Sequence, residues 1–348
     1  MAWRGRKKRS EAADGAGVGP FFGMPRVTLP PPKKARKEAA AGAAGGAGAA
    51  ASAPAPDGAT LALLGLEWDH SSSYRKGAVK GPRVLREVTD GRLYNAYTED
   101  GTDLRSSFRI LDLGDVGSEF RRLGDFDALA RAVETRLGAA SSPSGHVFLG
   151  GDHACTYPAL RALAKATNAD AAARRWGLVY LDAHPDLYVN YAGSSDSHAC
   201  QARRLIDEGF VKGPHVVQVG VRASTPSQNR YAEQAGVRTI TAAEFIQSGA
   251  TRASEAVVRA LLGQVDAVYL SMDLDVLDPA VAPGVGNPEA GGLSVRDVVQ
   301  FVNGLAPLPV KAVDVMEYNP AHDPLRITGY AAAKYLKEAM GLLAKAGR

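Results

Sequence analysis

The sequence predicts an α/β fold, a three-layer α/β/α sandwich with a central, mainly parallel sheet. From Thr60 onwards, short apolar runs alternate with amphipathic stretches, as expected where strands and helices take turns. The apolar runs are nearly continuous, which is typical of parallel strands covered on both faces. The chain has 348 residues and no visible internal repeat, so a single large α/β domain is the simplest architecture.

Seven buried strands and six helices are predicted. The strands are LALLGLE (61–67), FRILDLGDV (108–116), HVFLGGD (146–152), WGLVYLDAH (176–184), HVVQVGVR (215–222), AVYLSMDLD (267–275) and VKAVDVMEY (310–318). The helices are predicted over 124–138, 156–168, 198–209, 253–263, 294–305 and 329–345. No apolar run reaches the roughly 18 residues of a membrane-spanning helix, so no membrane association is expected.

The basic character of the chain lies before this pattern begins. Residues 1–58 hold ten Lys/Arg against four Asp/Glu, a charge of +6, whereas the whole chain carries +4. This segment is rich in Ala, Gly and Pro and has few large apolar residues, which favours a disordered extension. A catalytic domain with a net charge of −2 is therefore expected over 59–348. The basic character of the whole chain says little about what this domain binds, and no nucleic-acid partner is expected.

Three interpretations of residues 1–58 stay open. A basic, acid-poor segment could direct the chain to the mitochondrion or another organelle. PPPKKARK (30–37) is also similar to a nuclear-import signal. The third interpretation is a solvated extension of a cytoplasmic protein that carries no address.

The first cluster of polar residues is LGGDH (149–153), at the end of the third predicted strand. Two glycines let the backbone turn sharply and present Asp152 and His153 at the carboxyl end of the sheet, where open parallel sheets bind their ligands. A single histidine in such a turn is more often structural, so this cluster is weak evidence alone.

The second cluster, DAHPDL (182–187), is a stronger indication of a metal site. Asp182 and His184 are two residues apart, so their side chains point to one side, and Asp186 can fold back from the next turn. Three such groups after a buried strand are costly unless a cation neutralises them. Salt bridges are the alternative, but no Arg or Lys occurs between residues 176 and 202.

The third cluster, SMDLDVLDP (271–279), repeats the pattern with Asp273 and Asp275. With the earlier clusters it completes a set of four carboxylates and two imidazoles: His153, Asp182, His184, Asp186, Asp273 and Asp275. Mixed oxygen and nitrogen ligands suit two divalent ions such as Mn²⁺. Two ions that share carboxylates lie about 3.5 to 4 Å apart and make hydroxide available near neutral pH.

Two further residues complete a plausible site. Glu317, in VMEYNP, ends the last predicted strand and could bind a guanidinium through paired hydrogen bonds, although an ion-pairing or capping role is the plainer alternative. His198, in GSSDSHAC, could carry a proton to a leaving amine.

In this order, LGGDH, DAHPD, SHA, SMDLDVLDPAVAPGVGNPEAGGLS and VMEYNP resemble the ureohydrolase family of arginases and agmatinases. The resemblance extends from about residue 60 to the C-terminus and is closest in pattern to plant-type arginases. It implies an arginase/deacetylase-like fold, assembly as a homotrimer or homohexamer, and two Mn²⁺ ions per subunit.

By motif match, the resemblance also implies a role for each residue. One ion would take His153 and Asp186, the other His184 and Asp275, and Asp182 and Asp273 would bridge the two. Asp152 and Asp278 would orient ligands. Glu317 would bind the guanidinium, and His198 would act as the proton shuttle. A hydroxide would then attack the guanidinium carbon to give urea and an amine.

The substrate is less sharply predicted than the reaction. L-Arginine is favoured, and agmatine or another guanidino compound is the alternative. The pattern departs from plant-type arginases at Ser194 and Asp196. A carboxylate at position 196 would repel the α-carboxylate of arginine and attract an amine.

Two other classes of protein are alternatives to a ureohydrolase. An inactive paralogue that serves as a scaffold would be expected to have lost some of the six ligands. A deacetylase on the related fold would use one zinc ion and would lack the DAHxD and DxDxxDP motifs.

Overall fold

The computed structural model describes residues 19–27, 59–92, 94–140, 142–168 and 175–345. Nine parallel strands form one sheet in the order β1-β3-β2-β4-β9-β8-β5-β6-β7. The strands are β1 (Arg26–Val27), β2 (Ala59–Leu66), β3 (Phe108–Val116), β4 (Gly145–Leu149), β5 (Trp176–Leu181), β6 (Val216–Val221), β7 (Arg238–Thr241), β8 (Ala267–Met272) and β9 (Val310–Val315).

Eleven α-helices occur in the described part of the chain. They are α1 (Gly81–Val88), α2 (Leu104–Ser107), α3 (Ser118–Arg121), α4 (Phe126–Gly138), α5 (Thr156–Asn168), α6 (Gln201–Asp207), α7 (Pro226–Ala235), α8 (Ala242–Ser248), α9 (Ala250–Leu261), α10 (Val295–Gly304) and α11 (Ile327–Lys345). Among the helices that the structure describes, none has the length and apolar character needed to cross a bilayer.

Helices cover both faces of the sheet, so the fold has three layers. Leu61 and Leu63 of β2 belong to a core that includes α1, α2 and α8–α11. Leu64 and Leu66 belong to a second core that includes α4–α7. Neighbouring residues of a strand point to opposite faces, so each strand contributes to both cores. The predicted three-layer α/β/α sandwich is confirmed, with a sheet that is parallel throughout.

The seven predicted strands are all present, and most are shorter at their carboxyl ends than predicted. The strand predicted over 176–184 ends at Leu181, and the one predicted over 267–275 ends at Met272. Asp182–Asp186 and Asp273–Asp275 consequently lie in loops that leave the sheet edge. A Cβ at Gly151, just after β4, would overlap the carbonyl oxygen of Trp68, so the turn there requires glycine.

The structure departs from the expected extension over 1–58 at residues 19–27. Arg26 and Val27 pair with β3, and Phe21, Phe22 and Met24 are buried in the core. The expectation was based on the average composition of residues 1–58. An average does not show that three large apolar residues, Phe21, Phe22 and Met24, lie within four positions. Residues 1–18 and 28–58 lie outside the described residues, so the rest of that prediction is not tested.

Candidate metal centre

Four strands that are neighbours in the sheet carry the predicted site residues at one edge. In sheet order they are β4, β9, β8 and β5. His153 follows β4, Glu317 follows β9, Asp273 and Asp275 follow β8, and Asp182, His184 and Asp186 follow β5. His198 begins the short turn before α6. The carboxyl ends of parallel strands lie at the same edge of the sheet, so residues far apart in the chain meet here. Of these eight residues, His184 is partly exposed and the other seven are buried.

His153, Asp182 and Asp186 form the first group that could hold a metal ion. His153 Nδ1 lies 3.0 Å from Asp182 Oδ2 and 3.8 Å from Asp186 Oδ2. The potential ligand atoms all lie within 4.8 Å of one another. Asp186 has a φ of 53°, a left-handed conformation that non-glycine residues seldom adopt, and the Tyr180 hydroxyl donates a 2.7 Å hydrogen bond to it.

Asp182, His184 and Asp275 form the second group. His184 Nδ1 lies 2.9 Å from Asp275 Oδ2 and 3.4 Å from Asp182 Oδ1. The two carboxylate oxygens of Asp182 therefore face different histidines. Asp182 is shared by both groups, as expected of a carboxylate that bridges two ions.

Asp273 lies beside the first group without belonging to either one. Its Oδ2 atom is 3.1 Å from His153 Nδ1, and its Oδ1 atom accepts a 2.7 Å hydrogen bond from the backbone N–H of Asp275. The second bond shapes the turn that carries Asp275. The bridging role implied for Asp273 stays a prediction.

The residues fit a pair of divalent cations. Apart from His153 Nδ1 at 3.0 Å, buried Asp182 Oδ2 has no hydrogen-bond donor among the described residues, an arrangement that costs free energy unless a cation is present. Carboxylate oxygens and imidazole nitrogens are ligands that Mn²⁺ and similar ions accept. The donor set therefore suits two ions that share Asp182.

The pKa values of these groups also favour a bound cation. Burial and the charge of Asp182 raise the pKa of Asp186 to about 7, and burial together with Asp275 raises the pKa of Asp273. Burial lowers the pKa of His184, but Asp275 and Asp182 outweigh it and raise that pKa. The raised pKa values of Asp186, Asp273 and His184 favour bound protons when no cation is present, so metal binding should release protons.

His198 and Glu317 form a pair next to the two groups. His198 Nδ1 lies 3.5 Å from Glu317 Oε1, and its Nε2 atom lies 3.0 Å from the hydroxyl of Ser73. Burial would lower the pKa of His198, but its hydrogen bond to Glu317 and the charge of that residue raise it to about 9. His198 is therefore protonated at neutral pH. Glu317 has a φ of 63°, a strained conformation that aims its carboxylate into the site.

Sequence reasoning missed the buried residues that support His153. His153 Nε2 lies 2.9 Å from Ser271 Oγ, and that hydroxyl donates to Asp314 over 2.9 Å. Thr156 donates a further 2.8 Å hydrogen bond to Asp314. Because Nε2 contacts Ser271, Nδ1 is the nitrogen of His153 that faces Asp182 and Asp186. The signal in the sequence for these supporting residues is Asp314, a carboxylate inside the mainly apolar strand β9.

A cleft with two connected chambers opens on this site. The inner chamber has a volume of about 140 Å³ and is lined by residues that include His184, Asp186 and His198. The outer chamber, of about 560 Å³, is lined by residues that include Arg75 and Glu289. Both chambers share Ser73, His184, Tyr191 and Asn287. A substrate could therefore place one end beside the metal groups and the other end in the outer chamber.

Asp196 does not have the position that the sequence argument gave it. Its Oδ1 atom forms a 2.6 Å ion pair with Arg204 of α6, and neither chamber is lined by it. Its charge is compensated, so it does not argue against a substrate that carries a carboxylate. Arg204 comes eight residues after Asp196 in the chain, and only the fold brings the two side chains together.

The chain matches the model of the arginase family over residues 59–341. It is 33% identical over 293 residues to arginase 2, chloroplastic/mitochondrial, from Arabidopsis thaliana, covering 82% of this chain and 81% of the relative. It is 32% identical over 295 residues to a guanidinopropionase from Pseudomonas aeruginosa, covering 83% and 88%. A crystal structure of a hypothetical agmatinase from Burkholderia thailandensis superposes with a TM-score of 0.72 at 29% identity, covering 83% and 87%. The chain therefore belongs to the arginase family, and it is a ureohydrolase, an enzyme that hydrolyses guanidino groups.

Proposed function

We propose that this enzyme hydrolyses L-arginine to L-ornithine and urea at a site that holds two Mn²⁺ ions per subunit. The observation that carries the proposal is the pair of three-residue groups that share Asp182. His153 and Asp186 would bind one ion, His184 and Asp275 the other, and Asp182 and Asp273 both. The ions would act as Lewis acids and lower the pKa of a water molecule enough for attack near neutral pH.

The protein side chains would then orient the substrate and move a proton. Glu317 lies beside His198 at the site, and its carboxylate would bind a guanidinium through paired hydrogen bonds. His198, which is protonated at neutral pH, would donate a proton to the leaving amine nitrogen. The guanidinium carbon gains the oxygen of water and loses its bond to the amine, which yields urea and an amine.

The substrate is tested by comparing guanidino compounds on the full-length chain loaded with Mn²⁺. Urea release would be measured from L-arginine, agmatine and guanidinopropionate in parallel. We expect the highest kcat/KM with L-arginine. A higher value with another compound would correct the substrate and keep the reaction, whereas no urea from any compound, with two ions bound, would contradict the proposal.

An inactive scaffold is the alternative from another class. All six predicted ligands lie at one edge of the sheet, and two groups among them, which share Asp182, could each hold an ion. A scaffold has no need for this arrangement of buried charges, so the geometry favours an active enzyme.

Assembly and location are proposed from the relatives. We propose a homotrimer or homohexamer, which light scattering would test; a monomeric mass would overturn it. An Arabidopsis thaliana relative is named chloroplastic/mitochondrial. We propose an organellar location for this chain as well, to be tested by microscopy of the tagged full-length protein, with a purely cytoplasmic or nuclear signal as the contrary result.

A further inference from the structure

A buried tyrosine contacts the first of the two groups that could hold a metal ion. Tyr180 lies in β5, two residues before Asp182, and its side chain is fully buried. Its ring stacks on that of His153, with the ring centres 4.5 Å apart and an angle of 8° between the planes. Its hydroxyl lies 2.9 Å from His153 Nδ1 and 2.7 Å from Asp186 Oδ2. One side chain therefore contacts two of the three residues that form this group.

The hydroxyl of Tyr180 has one proton, and its hydrogen bonds assign that proton to Asp186. A carboxylate accepts hydrogen bonds, so the hydroxyl donates to Asp186 Oδ2. The side-chain amide of Gln201, the first residue of α6, donates to the hydroxyl oxygen. Because the proton of Tyr180 points to Asp186, it does not occupy Nδ1 of His153.

The other ring nitrogen of His153 is held as a donor. Ser271 donates its hydroxyl proton to Asp314 over 2.9 Å, so its oxygen accepts from His153 Nε2 over 2.9 Å. A neutral imidazole has one N–H, and with that proton on Nε2 the lone pair of Nδ1 is available to a cation. The contacts with Tyr180 and Ser271 together favour the form of His153 that can bind a metal ion.

The second group is held by different contacts. Asp275 accepts a 3.1 Å hydrogen bond from the backbone N–H of Ala183, and His184 is partly exposed and lines the cleft. Within the described residues, the hydroxyl of Tyr180 forms no hydrogen bond with either Asp275 or His184. Loss of this hydroxyl should therefore affect the two ions unequally.

We propose that Tyr180 is a positioning residue for the ion at the first group: its hydroxyl and ring hold Asp186 and His153 in the orientation that binds this ion, and the other ion does not depend on it. This inference rests on the proposed two-ion site and names a residue that sets the affinity of one ion. Tyr180 lines neither chamber of the cleft, so it acts through the two ligands and does not contact the substrate.

The test is a calorimetric titration of the metal-free, full-length chain with Mn²⁺, together with the number of bound ions. Tyr180→Phe removes the hydroxyl and keeps the ring, so it should weaken one binding event by about ten-fold and leave the other unchanged. Asp275→Asn removes a ligand of the second ion, and adding Tyr180→Phe should weaken the one ion that this variant retains. Asp186→Asn removes a ligand of the first ion, and adding Tyr180→Phe should change nothing further.

Tyr335→Phe provides the control, because Tyr335 is also buried and its hydroxyl donates to the Leu270 carbonyl over 3.5 Å. This variant should bind both ions as the wild type does. Equal weakening of both ions by Tyr180→Phe, or unchanged affinity for both, would overturn the inference. The titration does not depend on urea release, so a chain that binds two ions and hydrolyses no guanidino compound would contradict the proposed function and still decide this inference.

Discussion

At the scale of single residues, Asp182 is the carboxylate on which both metal groups depend. Asp182→Asn should leave less than one ion bound and lower kcat by at least about 100-fold, because both ions lose a ligand at once. Asp275→Asn should still bind one ion at the group that contains His153. Metal content measured by mass spectrometry, with kcat from urea release, checks both expectations.

Asp112→Asn is the matched control for these variants. Asp112 pairs with Arg86 at 2.8 Å, away from the metal groups, so this change should retain two ions and full activity. Two bound ions in Asp182→Asn would contradict the shared position of Asp182.

His198 should make the rate fall at alkaline pH. Its pKa of about 9 means that it is protonated below that pH and loses the proton above it, so a step that needs it as an acid slows as the pH rises through 9. His198→Asn should lower kcat by about 100-fold and abolish this decline. The profile of kcat between pH 7 and about 10.5 tests this; an unchanged decline in His198→Asn would show that another group causes it.

The sequence predicted the six candidate ligands because they sit in short motifs directly after apolar strands. Ser271 and Asp314 were not predicted because they support His153 through a contact between two strands, which no local motif records. Asp196 was misjudged for the same reason, since its partner Arg204 is on a helix. Pairings across elements are set by packing, and the pattern along the chain does not contain them.

At the scale of elements, the loop between β8 and α10 lies against Glu317, the residue proposed to bind the guanidinium. A Cβ at Gly286 would lie 2.7 Å from Glu317 Oε2, so Gly286→Ala should displace that carboxylate. A small misplacement of a binding group is costly, and we expect KM for the substrate to rise about ten-fold. Steady-state urea release measures this change.

Gly138→Ala is its control, because a Cβ there meets nothing within 4 Å. This variant should keep the wild-type KM. An unchanged KM in Gly286→Ala as well would mean that the loop does not position Glu317.

The elements with continuous apolar runs were predicted well, and the short ones were missed. β7 (Arg238–Thr241) is an edge strand with exposed Arg238 and Thr239, so it lacks the apolar run on which the strand predictions relied. Helix α1 begins with Gly81 and Pro82, residues that usually signal a turn, although Pro is well tolerated in a first helical turn. Both elements are stabilised by packing against the rest of the fold more than by local preference.

At the scale of the whole molecule, residues 19–27 belong to the folded body. Phe22 N–H donates to the Thr89 carbonyl over 2.7 Å, and the N–H of Ile110 donates to the Pro25 carbonyl over 2.8 Å. A chain that begins at residue 59 loses these bonds and the buried Phe21, Phe22 and Met24. We expect it to lose roughly 3 kcal/mol or more of unfolding free energy.

A chain that begins at residue 19 is the matched control and should unfold at the wild-type temperature. Calorimetry on both truncated chains measures the difference. Equal unfolding temperatures for the two would show that residues 19–27 add nothing to the stability of the body.

We propose that the edge formed by β4, β9, β8 and β5 is a two-ion site that hydrolyses guanidino groups. Its most direct test is to remove all metal from the full-length chain, add Mn²⁺ stepwise, and measure urea release from L-arginine together with the number of bound ions. We expect no urea from the metal-free chain and a rate that rises until two ions are bound per subunit. Full activity without metal, or saturation at a single ion, would contradict it.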